Sequence, residues 1–312
     1  MRIAVPRWVI PWLLLGFGCA SSNVAPPEPD PGEITETEIQ VGEMVFDARR
    51  AGPDDGDLVI LLHGFPQTSY EWRAQLKALG EAGYRAVAPD QRGYSPRARP
   101  TGVEAYEIPL LVDDVLEMAE ALGSERFHLV GHDWGAVIAW VTATLEPGRV
   151  LSLTTVSIPH PDAFATELAD TESCQYEASA YFEFFSQEGS EAALLSNDAV
   201  QLRAIYLGLS EDAIDEYLRA LGTEEALGAA LDWYRANTDG RQVDFGPLGL
   251  TSVPTLFIWS DQDIAVCREG AEATGDFVSG EYRFETLEGV NHWVPELAAA
   301  EVSQWLIEHL AN

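Results

Sequence analysis

The sequence predicts an α/β fold, a mostly parallel sheet flanked by helices with an inserted helical cap, on three observations. Short, almost wholly apolar runs such as Leu58-Val59-Ile60-Leu61-Leu62 and Thr255-Leu256-Phe257-Ile258-Trp259 have the pattern of strands buried on both faces, as parallel strands are. Helical spacing fills the stretches between such runs, and regular alternation of strand and helix produces a sheet covered on both sides. Over residues 161–246 the alternation stops and the chain reads as helices with aromatic and acidic faces, after which alternation resumes. An insertion at the carboxyl ends of the strands lies over the crevice where such sheets bind ligands. A chain of 312 residues, 46% of them hydrophobic, is long enough for one such domain with its cap.

Taken in order, the first residues are not expected to join the fold. Arg2 and Arg7 flank the start of an apolar stretch over residues 8–17, and Gly18-Cys19 follows. These are the basic, apolar and small-residue parts of a secretory signal, too short to span a membrane as a helix. A cysteine after a small residue at that point resembles a bacterial lipoprotein box. The resemblance implies a signal peptide over residues 1–18 and Cys19 as the lipidated first residue of an exported, cell-envelope protein. Gly16 and Phe17 depart from the usual pattern of that box, and periplasmic or secreted protein without a lipid is the alternative. Residues 19–37 are rich in Ser, Pro and acids and read as a disordered tether. The sheet core is expected over 38–160 and 247–312, with the cap at 161–246.

Within the core, residues 38–48 suggest two strands entering the sheet, and 58–62 the first buried parallel strand. A helix is expected over 70–79, and a strand at 85–88 that Pro89-Asp90 stops. Leu111, Val115, Met118 and Leu122 form one stripe, which predicts a helix over 110–122. Strands follow at 127–130 and 151–158, then, beyond the cap, at 255–259 and 282–287, with a last helix over 294–310. No internal repeat is visible.

Composition narrows the partners. Fifty-one acidic residues against 18 basic ones give a formal net charge of −33. Such a chain is repelled by nucleic acid and by anionic lipid, so membrane contact is expected only through a lipid anchor. The charge reads as a solvated, salt-tolerant acidic surface, with adaptation to saline surroundings or a cationic partner as alternatives. With Cys19 set aside, Cys174 and Cys267 remain. An exported pair can form a disulfide, and two free thiols are the alternative. No spacing of His128, His160 or His309 suggests a metal site.

The chemistry concentrates at strand ends. Gly131-His132-Asp133-Trp134-Gly135-Ala136 follows an apolar strand and leads into a helix. Gly-x-Asp-x-Gly has the shape of a nucleophile elbow, whose flanking glycines let the chain turn tightly enough to expose the central side chain. Here that side chain is a carboxylate, which attacks saturated carbon and leaves an ester on the enzyme itself. Asp263 follows the next-to-last strand and His292 the last, so the order is nucleophile, acid, histidine. His292 would activate a water against the ester, and Asp263 would hold its imidazole in the required tautomer. Asp261 lies close to Asp263; no carboxylate immediately follows the strand at 151–158, which removes the commonest other location for the acid, and Asp162 is the runner-up. Backbone N–H groups of Phe65 and Trp134 are expected to form the oxyanion hole. His63 and His132 read as structural, hydrogen-bonding the loops around the site.

Together the motifs His63-Gly64-Phe65-Pro66, the Asp133 elbow with Trp134, the Asp263 loop and His292-Trp293 resemble the epoxide hydrolase branch of the α/β-hydrolases. The resemblance runs from about residue 39 to the C-terminus. It implies the α/β-hydrolase fold, no cofactor, no metal, and two cap tyrosines that donate hydrogen bonds to the epoxide oxygen. Tyr181, in Tyr181-Phe182-Glu183-Phe184-Phe185, and Tyr234, in Leu231-Asp232-Trp233-Tyr234-Arg235, are the matching positions. The first lacks the family's usual Pro before Gly189, which leaves Tyr176 and Tyr206 as other candidates for that role. Phe182, Phe185 and Trp233 are expected to line an apolar pocket for a small apolar epoxide. Haloalkane dehalogenases share the Asp elbow with Trp but typically carry Asn after the first His-Gly, where Phe65 stands here. A dehalogenase is therefore one alternative, and an inert hydrolase-fold binding lipoprotein is another of a different class.

Overall fold

The computed structural model describes residues 30–243 and 247–312, together with Met1 and Ala4. The body of the signal segment, Cys19 and the tether up to residue 29 lie outside the described residues. The remainder of the expected tether is not disordered. Asp30 accepts a hydrogen bond from the Gly32 N–H (3.0 Å), Ile34 packs against the core, and strand β1 already spans Thr35–Val41. It pairs antiparallel with β2, Met44–Ala51, Thr35 lying opposite Arg50. Its first residues, Thr-Glu-Thr-Glu, are solvent-facing on an edge strand, so no apolar alternation marks them.

Six further strands build the sheet: β3 (Leu58–Leu62), β4 (Arg85–Pro89), β5 (Phe127–His132) and β6 (Val150–Val156) and, after a short pair in the cap, β7 (Thr238–Asp239) and β8 (Gln242–Val243), then β9 (Thr255–Gln262) and β10 (Tyr282–Asn291). The eight-stranded sheet has the order β1-β2-β4-β3-β5-β6-β9-β10. From β4 to β10 every neighbouring pair is parallel, and β2 joins β4 antiparallel. The strand period of two is visible in β3: Leu58, Ile60 and Leu62 enter one core and Val59 and Leu61 the other. Each fully buried aliphatic side chain of this kind contributes on the order of 2 kcal/mol.

Helices α1 (Arg73–Glu81), α2 (Ile108–Ala121) and α3 (Trp134–Leu145) alternate with the strands. Between β6 and β9 the chain forms α4 (Pro161–Ala169), α5 (Cys174–Ala178), α6 (Tyr181–Phe185), α7 (Ser190–Ile205), α8 (Glu211–Leu221) and α9 (Glu224–Asn237). Helix α10 (Arg268–Ala273) follows β9, and α11 (Val294–Leu297) and α12 (Ala299–Leu310) follow β10. The expected last helix is thus two, because Ala298 leaves helical geometry at φ −122°, ψ 40°. Apolar faces of α1 and α12 share the core on one side of the sheet, and α2, α3 and the cap share the other.

Helix α9 shows how the cap is positioned. Thr223 caps it by accepting from the Ala226 N–H, and Glu224 and Glu225 stand in the first turn, where the helix dipole favours negative charge. Leu227, Ala230, Leu231 and Tyr234 are buried, one face of a 3.6-residue period. Asn237 ties its end to the core, donating to Tyr106 O (2.9 Å) and accepting from the Ile108 N–H (3.0 Å).

Candidate active site

The elbow is a steric construction. Asp133, between β5 and α3, holds φ 50°, ψ −124°, a region that L-residues enter only when their surroundings impose it. A side chain at position 131 would run into the backbone of Gly135, and one at 135 into the carbonyls of Leu62 and His63. Glycines at both places let β5, α3 and the loop after β3 approach closely enough to aim Asp133 into the crevice.

Loops at the carboxyl ends of β3, β6, β9 and β10 converge on it. The Phe65 N–H donates to Asp133 Oδ1 (2.7 Å), and the Trp134 N–H follows on the same turn. His292 Nε2 lies 3.6 Å from Asp133 Oδ2. On its other side, His292 Nδ1 is 3.0 and 3.1 Å from the two oxygens of Asp263. Asp263 Oδ1 also accepts from the N–H groups of Ala265 (2.8 Å) and Val266 (3.2 Å). Asp261 turns away and accepts from the Gly289 N–H, while Asp162 accepts from the Leu248 and Gly249 N–H groups. Neither reaches the histidine.

Ser157, just beyond β6, was not singled out from the sequence. Its backbone has φ 73° and its side chain is fully buried. The hydroxyl donates to Asp263 Oδ2 (2.6 Å) and lies 3.1 Å from His292 Nδ1. A serine directly after a strand carries no motif that sets it apart in the sequence.

Charges follow from this geometry. Burial alone would depress the His292 pKa; the Asp263 charge, then the hydrogen bonds to Asp133 and Asp263, overturn that and raise it to about 10. Asp263 is below the ordinary carboxylate range although burial opposes ionisation, because the His292 charge and its hydrogen-bond donors hold it ionised. His132 behaves oppositely. Burial, then the nearby His292, lowers it to about 3, while burial and the charges of Glu296 and Asp133 push the Glu71 carboxyl well above its usual range. These two are therefore a neutral pair. Glu71 Oε2–H donates to His132 Nδ1 (3.1 Å), and His132 Nε2–H donates to the His292 carbonyl (2.9 Å). His63 holds a neighbouring loop by accepting from the Gln91 N–H (3.1 Å) and donating to Gly64 O (3.0 Å).

Asp133, Trp134, Tyr181, Phe182 and Tyr234 share a narrow cavity of about 30 Å³, room for on the order of two waters. Its other walls are Val137, Ile158, Pro161, Phe164 and Val243, which carry no motif and went unnoticed in the sequence. Burial, then the Asp133 charge, pushes the phenols of Tyr181 and Tyr234 well above their ordinary pKa, so both remain proton donors. The other candidates are engaged elsewhere: Tyr176 stacks under Arg241, and Tyr206 donates to Pro66 O (2.6 Å). Two expected pocket residues require correction. Trp233 faces the core and donates to Arg92 O (2.9 Å), while Tyr234, about 100° further round α9, takes the cavity wall. Phe185 stands behind the cavity, edge-on to Phe65 and Tyr234. A larger groove of about 520 Å³, between α2, α3 and the end of α9, contains none of these site residues.

The fold and site define a class: an α/β-hydrolase in which a carboxylate occupies the nucleophile's turn. Comparison agrees, since the family model described as alpha/beta hydrolase fold matches residues 57–299, and the chain belongs to that family. It is 35% identical to the AB hydrolase superfamily protein YfhM of Bacillus subtilis, over 88% of this chain and 97% of that one. Epoxide hydrolase A of Mycobacterium tuberculosis is 29% identical over 90% of this chain and 98% of its own. A crystal structure of Bacillus megaterium epoxide hydrolase in complex with an inhibitor superposes with a TM-score of 0.80 at 27% identity, covering 88% of this chain and all of that one (100%). Within the family the chain is epoxide hydrolase-like.

Proposed function

We propose that this protein opens an epoxide with water to a vicinal diol through a covalent ester on Asp133. The observation that carries the reading is the facing of Asp133 by two protonated tyrosines, Tyr181 and Tyr234, across one apolar cavity. An opening epoxide produces an alkoxide, a far poorer leaving group than halide, and it needs such a donor. Asp133 attacks one ring carbon, the carbon–oxygen bond breaks, and a tyrosine protonates the oxygen. Esterification removes the Asp133 charge that helps keep His292 cationic. The tyrosine regains a proton from His292, leaving a neutral imidazole.

In the second step His292 Nε2 takes a proton from water, and the hydroxide adds to the Asp133 carbonyl carbon. The oxyanion formed there meets the N–H groups of Phe65 and Trp134, each such donor being worth on the order of 3 kcal/mol. Collapse expels the diol and restores the carboxylate and the imidazolium. The dehalogenase reading lacks a comparable observation, since a halide requires only weak donors. The inert-binder reading is disfavoured by a complete set of interacting groups. We further propose that the enzyme works outside the cytoplasm, which the bonded Cys174 and Cys267 support.

A single turnover on an epoxide in oxygen-18 water tests the chemistry. Label is expected in the Asp133 carboxylate, and its absence there refutes the ester. His292→Gln is expected to accumulate protein heavier by one substrate.

A further inference from the structure

We propose that the Cys174–Cys267 disulfide, together with Gln175, is a positioning device for both half-reactions, resting on the ester mechanism above. Cys174 opens α5 in the cap, and Cys267 stands 93 residues later beside the acid loop, with 6.1 Å between their Cα atoms. Gln175, only 1% exposed, reinforces the link. Its amide donates to Ala265 O (2.8 Å) and its carbonyl accepts from the Cys267 N–H (3.0 Å).

The peptide held in this way is the one that holds the acid. The N–H groups of Ala265 and Val266 donate to Asp263 Oδ1, the oxygen 3.0 Å from His292 Nδ1. Trp259 Nε1 donates to Val266 O (3.2 Å) from the strand side, so the cap supplies the restraint on the opposite side of the loop. The staple also fixes the cap. Gln175 donates to Ser179 Oγ (3.0 Å), and Ser179 O accepts from the Phe182 N–H (3.1 Å). That turn presents Tyr181 to the cavity. One covalent link therefore stands within a few residues of both the proton donor of the first step and the acid of the second.

Loosening the link leaves Asp263 less well aligned on His292, whose other close neighbours are Asp133, Ser157 and the neutral His132–Glu71 pair. With less support from Asp263, the pH midpoint for ester hydrolysis moves down. The limiting rate falls on the order of tenfold to a hundredfold, as displacements near 1 Å do. Both half-reactions slow, the second more.

The test uses oxidised wild type, the same protein reduced with a phosphine, the Cys174→Ser/Cys267→Ser double variant, and Gln175→Leu with its disulfide intact. Ester formation and diol release from styrene oxide are followed separately by rapid quench and intact mass across roughly pH 5 to 10, with circular dichroism to establish folding. The proposal expects slower diol release, accumulated ester and a lowered pH midpoint in reduced and double-variant protein, and a smaller effect of the same sign in Gln175→Leu. Folded variants within about twofold of wild type in rate, with an unmoved midpoint, overturn it. If the double variant does not fold, Gln175→Leu decides by the same criteria. A wild type that forms no ester overturns the proposed function and the staple with it, whereas a normal ester with unaffected variants overturns the staple alone.

Discussion

Replacing Asp263 by Asn separates the two half-reactions. His292 has its pKa raised from 6.5 to about 10, with Asp263 the leading cause against burial. At about 1.4 kcal/mol per pH unit, that rise favours the cation by on the order of 5 kcal/mol, shared between Asp263 and Asp133. Once Asp133 is esterified its share is gone, and Asp263 alone orients the ring and stabilises the imidazolium that forms as water is deprotonated. An Asn at 263 lacks the charge, and its amide can donate to Nδ1. The ring proton then moves to Nε2, the atom that must accept from water. Diol release is expected to fall on the order of 10⁴-fold, as when the triad aspartate of a serine protease becomes Asn. Ester formation uses Asp133 and the tyrosines, which the substitution does not touch, and is expected to stay within about tenfold of wild type. Rapid-quench intact mass reads the ester directly, and chromatography reads the diol. Equal loss of both steps, or no accumulated ester, would refute the reasoning, because Asp263 would then be supporting the fold rather than the imidazole.

Other expectations follow from the same geometry. Tyr234→Phe should slow ester formation by roughly 10² to 10⁴, Tyr181→Phe should slow it in the same direction, and the double variant should retain no measurable epoxide turnover; single-turnover rates check this. Ser157→Ala removes a hydrogen bond to an ionised carboxylate, worth about 1.5–3 kcal/mol, and should slow diol release while leaving ester formation unchanged, as the two rapid-quench traces would reveal. Stability should also depend on pH through His292. It binds its proton more tightly folded than unfolded, so its contribution is full below pH 6.5 and is lost as pH rises through about 10. Melting temperatures over that window should fall more steeply in wild type than in His292→Gln, and identical slopes would exclude the ion pair.

The sheet was legible because buried parallel strands are written as apolar runs, and Asp133 because its turn admits only glycines at 131 and 135. His292 and Asp263 were legible through chain order and position after a strand. What escaped had a physical reason in each case. Strand β1 begins with solvent-facing Thr and Glu, and its buried face starts only at Ile39 and Val41, so its first residues have nothing to announce them. Ser157 acts through an unusual backbone angle at a strand end, which a serine codon does not advertise. Trp233 was misplaced because the rotation of α9 that turns Tyr234 into the cavity carries Trp233 towards Arg92 and the core, and nothing local to the sequence says which of the two turns inward. The walls from Val137 to Val243 come from three separate segments, so only the folded chain brings them together.

Ionisation in the site is assigned by burial, neighbouring charge and hydrogen-bond donors together. Glu71, Asp133 and Asp263 surround two histidines in a protein of net charge −33, and three buried anions there would repel one another at considerable cost. Asp263 escapes this because three donors and a cationic His292 face it. Glu71 meets only a neutral imidazole, at 3.1 Å, and keeps its proton. That proton fixes His132 as a donor to the His292 carbonyl, so the neutral pair holds the backbone of the residue whose side chain moves protons. A single charge cycle is left for catalysis, between Asp133 and His292. Because esterification discharges one member of that pair, the first step itself prepares the base for the second.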